Sequence, residues 1–457
     1  MCSLDAPTYG SQEIEHFTFE EVAFMDKNNT NPPRGMKDRT PKEVELREYV
    51  QNKIVTVYRR FGFVKIETPC VENIRFLSSG EGGDNEKMIF KILKRGQKLV
   101  ITEKSKQSDL VDLGLRYDLT VPLARFYANN REKVPSPFKV MQVGNVWRAE
   151  RPQKGRFRQF TQCDIDIIGM SSVFAEIDLI SATCEALKNI GFSDFKVRIN
   201  DRRILREIAK LSKFDEKDFG KLFITLDKLG KIGIDGVERE LLSCNYASGS
   251  VSMFISIISK IIGKKVTTKD IRELVPNIET SILEDLGFVV KNIRNLSKKD
   301  YEIEIDLSLV RGMGYYTGQI FEIESNKFSS SIAGGGRYDK MVGKILQSKN
   351  EIPACGFSIG FERVVSILEK LEFKIPKTEN KIAILFNPKE SKFDNLFEKA
   401  RELRENNIVS IELQRKNLRK QLDQLSKQGF NYFITYESGV ISEPRKIEIG
   451  SSPSIYG

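Results

Sequence analysis

Val146–Ile168 reads VWRAERPQKGRFRQFTQCDIDII: an extended run, a basic turn over Pro152-Gln153-Lys154-Gly155, and a second extended run. Two strands joined so closely pair antiparallel, since a parallel pair needs a crossover of a dozen residues or more. Arg148, Arg151, Arg156 and Arg158 sit on both arms of the turn. Guanidinium groups converging on one anion make strong bidentate contacts, so the unit suits a phosphate clamp; read alone, it also fits a solvated basic hairpin. On the second arm Gln162, Asp164 and Asp166 share a face by strand alternation, and Gln162 and Asp166 are candidate pocket groups.

Working outward, strand-like runs recur at 63–69, 138–147, 160–168, 195–199, 301–306 and 316–323, with short connections instead of regular βαβ alternation. The predicted class is α+β, a mostly antiparallel sheet carrying helices. Before the first run, Pro41 opens a helix on which Val44, Leu46, Val50, Ile54, Val57 and Phe61 recur at helical spacing until Gly62. From 205 to 300 Lys- and Glu-rich helical periodicity takes over and predicts an inserted helical module. A charged linker, Ile367–Asn380, then leads to strands at 382–386, 409–413 and 432–436 with helices near 391–405 and 416–428, a small α/β domain over 380–457.

Composition excludes several chemistries. The chain of 457 residues, 40% hydrophobic, holds one histidine, His16, so Ser-His-Asp hydrolysis, H-E-x-x-H zinc chemistry and histidine relays lack their residue. Arginine, lysine, carboxylates and backbone remain, a set suited to reactions at phosphate. The cysteines at 2, 70, 163, 184, 244 and 355 form no C-x-x-C pair and predict neither disulfides nor zinc, in keeping with a reducing cytoplasm. Residues 1–33 carry six acidic side chains against Lys27 alone, the wrong sign for a transit peptide, and read as an acidic extension. The net charge of +10 favours an anionic partner.

Four further clusters stand out, each with a bland alternative. In LRYDLTVPLARF (115–126), Asp118 and Thr120 lie on one side of an extended run predicted to end at Pro122, where a carboxylate can bind an ammonium. VRGMGYYTGQIFE (310–322) sets Arg311 and the Tyr315-Tyr316 pair among glycines, a ligand site or a tight hairpin. AGGGRYD (333–339) is glycine-rich but lacks the G-x-x-x-x-G-K-[ST] frame of a P-loop. GFSIGFERV (356–364) places Arg363 near the start of a helix, facing a phosphate or paired on the surface.

Taken together these stretches resemble the class II aminoacyl-tRNA synthetases, and in particular the histidyl-tRNA synthetases, from about Pro32 to about residue 440. GFVKIETPCVE is similar to the first class motif, whose proline, here Pro69, packs at a dimer interface; the opening stretch is similar to the second and GFSIGFERV to the third. RGMGYYTG and AGGGRYD resemble the signatures of the histidine-specific members. At Gly314 the family pattern carries an acidic residue instead.

The resemblance implies a class II catalytic domain over 34–204 and 301–370, a helical insertion over 205–300 and an anticodon-binding domain over 380–457. It implies a cytoplasmic homodimer that activates L-histidine with ATP and Mg2+, releases pyrophosphate and transfers the histidyl group to histidine tRNA. Arg148 would hold the α-phosphate and activated carboxylate, with Arg311 the catalytic arginine opposite it. Glu150 and Arg156 would bind the adenine and outer phosphates, and Arg363 the γ-phosphate. Asp118, Thr120 and Gln162 would take the α-amino group; Asp166 and Tyr316, helped by Tyr315 and Tyr338, would read the imidazole. The competing readings are a catalytically silent histidine-sensing paralogue, against which Arg311 and the C-terminal α/β segment weigh, and an RNA-binding module with a vestigial site, which Gly314 keeps open.

Overall fold

The computed structural model describes residues 30–447, apart from 79–87, 153–156, 312–313, 327–329, 349, 377–378, 388, 390–392, 394 and 438. Most of the acidic extension, and Arg156 in the basic turn, therefore lie outside the described residues. Two compact units result: the described residues up to Arg39 with Lys53–Val364, and Thr40–Asn52 with those from Val365 onward.

The first unit is built on β1 Val64–Lys65, β2 Phe138–Trp147, β3 Gln159–Ile168, β4 Phe195–Asp201, β5 Glu302–Ile305, β6 Gln319–Ser325, β7 Ser330–Arg337 and β8 Ala354–Gly360. Their order is β1-β2-β3-β8-β7-β6-β4-β5. The six inner strands are antiparallel and only the edges β1 and β5 pair parallel, so the sheet has the predicted character. Helices Thr120–Asn130 and Asp339–Ile345 bury Leu123, Tyr127 and Val342 with Phe138, Val140, Ile168 and Ala354. Each large apolar side chain so covered contributes roughly 2 kcal/mol. Helix Phe174–Asn189 covers β3, β7 and β8 with fully buried Leu179, Ile180 and Leu187. Residues 202–297 form six helices, as their periodicity predicts, with Leu222, Leu241, Phe254, Ile258, Leu286 and Ile293 fully buried.

Three local expectations need correcting. The stretch 115–126 is not an extended run ending at Pro122: the strand Val111–Leu115 stops and a helix starts at Thr120. Asp118 Oδ1 accepts the Val121 N–H at 3.0 Å, satisfying a first-turn donor, and Pro122 is tolerated there because its absent N–H would have had no intrahelical partner. FVKIETP pairs as a strand over Val64–Lys65 only, because the buried Arg116 guanidinium takes the Thr68 carbonyl at 2.7 Å and the Pro69 carbonyl at 3.4 Å. The linker begins later than Ile367, since helix Phe361–Lys370 runs through it.

In the second unit β9 Asn380–Phe386 lies between β10 Asn407–Leu413 and β11 Tyr432–Glu437, parallel to both. Helices Leu396–Arg404 and Leu418–Lys427 accompany them. Ile382 and Ile384 pack in one cluster with Leu396 and Ala400, Ala383 and Leu385 in another with Leu425. A strand covered on both faces explains the unbroken apolar run IAILF. Among the described residues no helix is long and apolar enough to cross a membrane, and the five cysteines are unpaired.

Candidate active site

The site grows from β3. Alternation turns Gln162, Asp164 and Asp166 to one face, and the antiparallel register sets Gly360, Ser358 and Gly356 of β8 directly opposite them. Gly356 is obligatory: a methyl there would lie 1.9 Å from Asp166 Oδ1. Tyr338, following β7, is buried and donates its hydroxyl to Asp166 Oδ1 at 2.6 Å. The Gln162 amide donates to Ser358 Oγ at 2.8 Å.

Asp118, Thr120, Arg148, Gln162, Asp166, Arg311, Tyr315, Tyr316 and Tyr338 all line one cavity of about 100 Å3, although in sequence they are spread over 118–338. The Tyr315 and Tyr316 rings lie 4.7 Å apart, and Tyr315 meets Tyr338 edge-on at 6.0 Å. Arg148 Nε donates to the Tyr117 carbonyl at 3.0 Å while its guanidinium sits 5.0 Å above the Phe160 ring, which fixes its direction. Glu150 and Arg363 do not line this cavity: Glu150 accepts from Arg158 through its carbonyl at 3.0 Å, and exposed Arg363 donates to the Ser331 carbonyl at 2.5 Å.

Arg311 has a left-handed backbone, φ +62°, unusual for a residue with a side chain. Its Nη1 donates to Glu322 Oε2 at 2.8 Å, and its guanidinium lies so close over Gly334 that a methyl there would be 2.2 Å from Nη1. The glycine-rich AGGG segment is thus neither a loop nor a phosphate cradle but part of an inner strand, thinned so that an arginine can lie across it. Glu322, which sequence reading passed over, supplies Arg311 with a carboxylate from β6. Also unforeseen is the buried fork of Arg337 on Glu176, at 2.6 and 2.7 Å, which anchors the residue next to Tyr338. Period-two alternation in QIFEIES puts Glu322 on one face of a strand but does not pair it with Arg311, 11 residues earlier; nothing local pairs Arg337 with Glu176, 161 residues away.

Burial controls the electrostatics. It pushes the Asp118 carboxyl up to about 6, against the lowering pull of the Val121 N–H and of Arg148. Burial likewise raises Asp166 to about 7, with the Tyr338 hydroxyl opposing and Asp118 reinforcing. Asp164 is driven well above the usual carboxylate range by burial and by neighbouring Asp166. Three buried carboxylates beside two guanidinium groups match a ligand carrying both an ammonium and an anion. Among the described residues no three His, Cys, Asp or Glu side chains are grouped to hold a metal.

The family description Histidyl-tRNA synthetase matches residues 35–364 of this chain. The histidine–tRNA ligase of Leifsonia xyli subsp. xyli is 40% identical over 423 residues, covering 88% of this chain and 94% of its own length. That of Christiangramia forsetii is 32% identical over 419 residues, covering 88% and 91%. The crystal structure of histidyl-tRNA synthetase from Nostoc sp. PCC 7120 superposes with a TM-score of 0.71 at 27% identity, covering 89% of this chain and 92% of that one.

Proposed function

Since the chain belongs to the histidyl-tRNA synthetase family, a histidine–tRNA ligase whose chemistry begins at a histidine carboxylate, we propose that the cavity on β3 is where histidine meets ATP. The carboxylate attacks the α-phosphorus in line, the bond to the β-phosphate breaks, and pyrophosphate leaves histidyl-adenylate behind. The tRNA 3′ end then takes the histidyl group and AMP departs. No proton moves in the first step, so a chain without a described histidine lacks nothing it needs.

In this reading Arg148 and Arg311 neutralise the charge that grows on the α-phosphate and carboxylate, Asp118, Thr120 and Gln162 hold the α-ammonium, and Asp166 with Tyr315, Tyr316 and Tyr338 reads the imidazole. The observation that carries it is the convergence of these nine residues on one cavity. Glu150, Arg156 and Arg363 are assigned to the adenine and outer phosphates. Mg2+ would be held mainly by phosphate oxygens and water, polarising the departing pyrophosphate. Residues 205–300 are assigned as a helical insertion and 380–457 as the anticodon-binding domain of a cytoplasmic enzyme. Exposed Val64 and Val71 on either side of Pro69 favour a homodimer through that segment.

Histidine-dependent ATP–pyrophosphate exchange, with the other amino acids as controls, tests the reading. Exchange with histidine alone is expected. Histidine binding without exchange would instead favour a silent histidine sensor.

A further inference from the structure

Four buried polar atoms at the cavity have no hydrogen-bond partner among the described residues: Asp118 Oδ2, Gln162 Oε1, Asp164 Oδ1 and Arg311 Nε. Three are acceptors. A buried acceptor left unmade costs free energy unless a ligand satisfies it, and an ammonium carries three N–H donors. Asp164 is 3% exposed and forms no close ion pair among the described residues, and the longer-range pull of Arg148 does not offset its burial. Its place is central, between Gln162 and Asp166 on the face that lines the cavity and opposite Ser358. Ser358 organises two of the acceptors. Its oxygen takes the Gln162 Nε2 proton at 2.8 Å, leaving Gln162 Oε1 open, and its own hydroxyl is directed to the Asp164 carboxylate, leaving Oδ1 open.

We propose that Asp164 is a substrate-binding residue: its Oδ1, with Asp118 Oδ2 and Gln162 Oε1, forms a three-acceptor seat for the α-ammonium of the amino acid. Thr120 lines the same cavity and adds a neutral hydroxyl; Asp164 adds a second carboxyl group, whose ionised form an ammonium would stabilise against the burial and the Asp166 repulsion that raise its pKa. A purely structural part for Asp164 would leave Oδ1 without purpose, because the strand ladder and Ser358 already satisfy its backbone and one side of its carboxylate. The facing charged groups are Asp118, Asp166 and Arg148 around the cavity and Arg116 beneath it; Arg116 is spent on the carbonyls of Thr68 and Asn145.

The proposal rests on the histidine reading, and the test separates the two. Equilibrium binding of L-histidine and of 3-(imidazol-4-yl)propionate, which lacks only the amino group, is measured calorimetrically on the full chain, Asp164→Asn and Asp118→Asn. Asp164→Asn should weaken histidine at least about tenfold, the scale of one charged hydrogen bond, and leave the propionate unchanged or bound more tightly. Asp118→Asn should show the same selectivity. If the asparagine variant fails to fold, Asp164→Ser must show the same selective loss. An equal loss for both ligands, or histidine binding within about twofold of the parent, overturns the proposal alone. A parent chain that binds no histidine overturns the histidine reading and this proposal with it.

Discussion

Gly334→Ala should separate catalysis from folding. The added methyl would lie 2.2 Å from Arg311 Nη1, 2.4 Å from Cζ and 2.6 Å from Nη2, against an ordinary contact distance of about 3.5 Å. The guanidinium must therefore rise by about 1 Å and lose its 2.8 Å bond to Glu322. A displacement of that size at a reacting centre costs on the order of 100-fold in rate, close to 3 kcal/mol of transition-state stabilisation. Stability should fall by no more than about 1 kcal/mol, since the clashing atoms end a flexible side chain and the ion pair is part exposed, 24% at Arg311. Single-turnover formation of histidyl-adenylate reads the rate, and equilibrium urea denaturation reads the fold. A variant that forms adenylate within about threefold of the parent rate would refute the assignment of Arg311 to the transition state.

Gly356→Ala should behave in the opposite way, because its methyl meets Asp166 Oδ1 at 1.9 Å and Asp166 is buried with nowhere to turn: urea denaturation should show a loss of about 2–4 kcal/mol, and the histidine KM should rise. Asp166, raised to about 7 in the folded chain, binds its proton more tightly there than when unfolded, so its contribution to the stability of the unliganded protein is full at low pH and is lost as pH rises towards 7. Replacing it by Asn should remove roughly 4 kcal/mol of that decline between about pH 4 and 7, measured by denaturation across pH. Glu176→Gln leaves the buried Arg337 guanidinium with Asp339, 3.3 Å from Nη1, as its remaining carboxylate partner; thermal denaturation should report a loss on the order of 3 kcal/mol, with a raised histidine KM because Tyr338 adjoins it.

What could be read in advance, and what could not, divides along the range of the interactions. The long strands 138–147 and 159–168 announce themselves through alternation, and the helices of 202–297 through their apolar period, because both patterns are local. The nine cavity residues were named from short motifs whose meaning came from resemblance, and the fold brings them together. Misreading 115–126 as extended came from Pro122, which breaks a helix interior but not its first turn; only Asp118 reaching Val121 tells the two apart. The bond from Gln162 to Ser358, the fork from Arg337 to Glu176 and the tie from Tyr338 to Asp166 span 196, 161 and 172 residues, and no local pattern encodes them.

Such long-range pairing also explains why the cavity exists in the middle of a sheet. Residues directly opposite on antiparallel strands point to the same face, and β8 presents Gly356, Ser358 and Gly360 against Asp166, Asp164 and Gln162. Each polar side chain of β3 thus faces a neighbour too small to fill the space in front of it. Gly334 repeats the device one strand further on, opposite Ser358 on β8 and beneath Arg311. A slip of one residue between β3 and β8 would set Cys355, Phe357 and Ile359 against the same three positions and close the cavity with apolar bulk. The intervening residues Ile165, Ile167, Phe357 and Ile359 are buried on the other face, so core packing resists that slip. The hydrophobic alternation that stabilises the sheet is therefore what keeps the small residues in register with the polar ones and the site open.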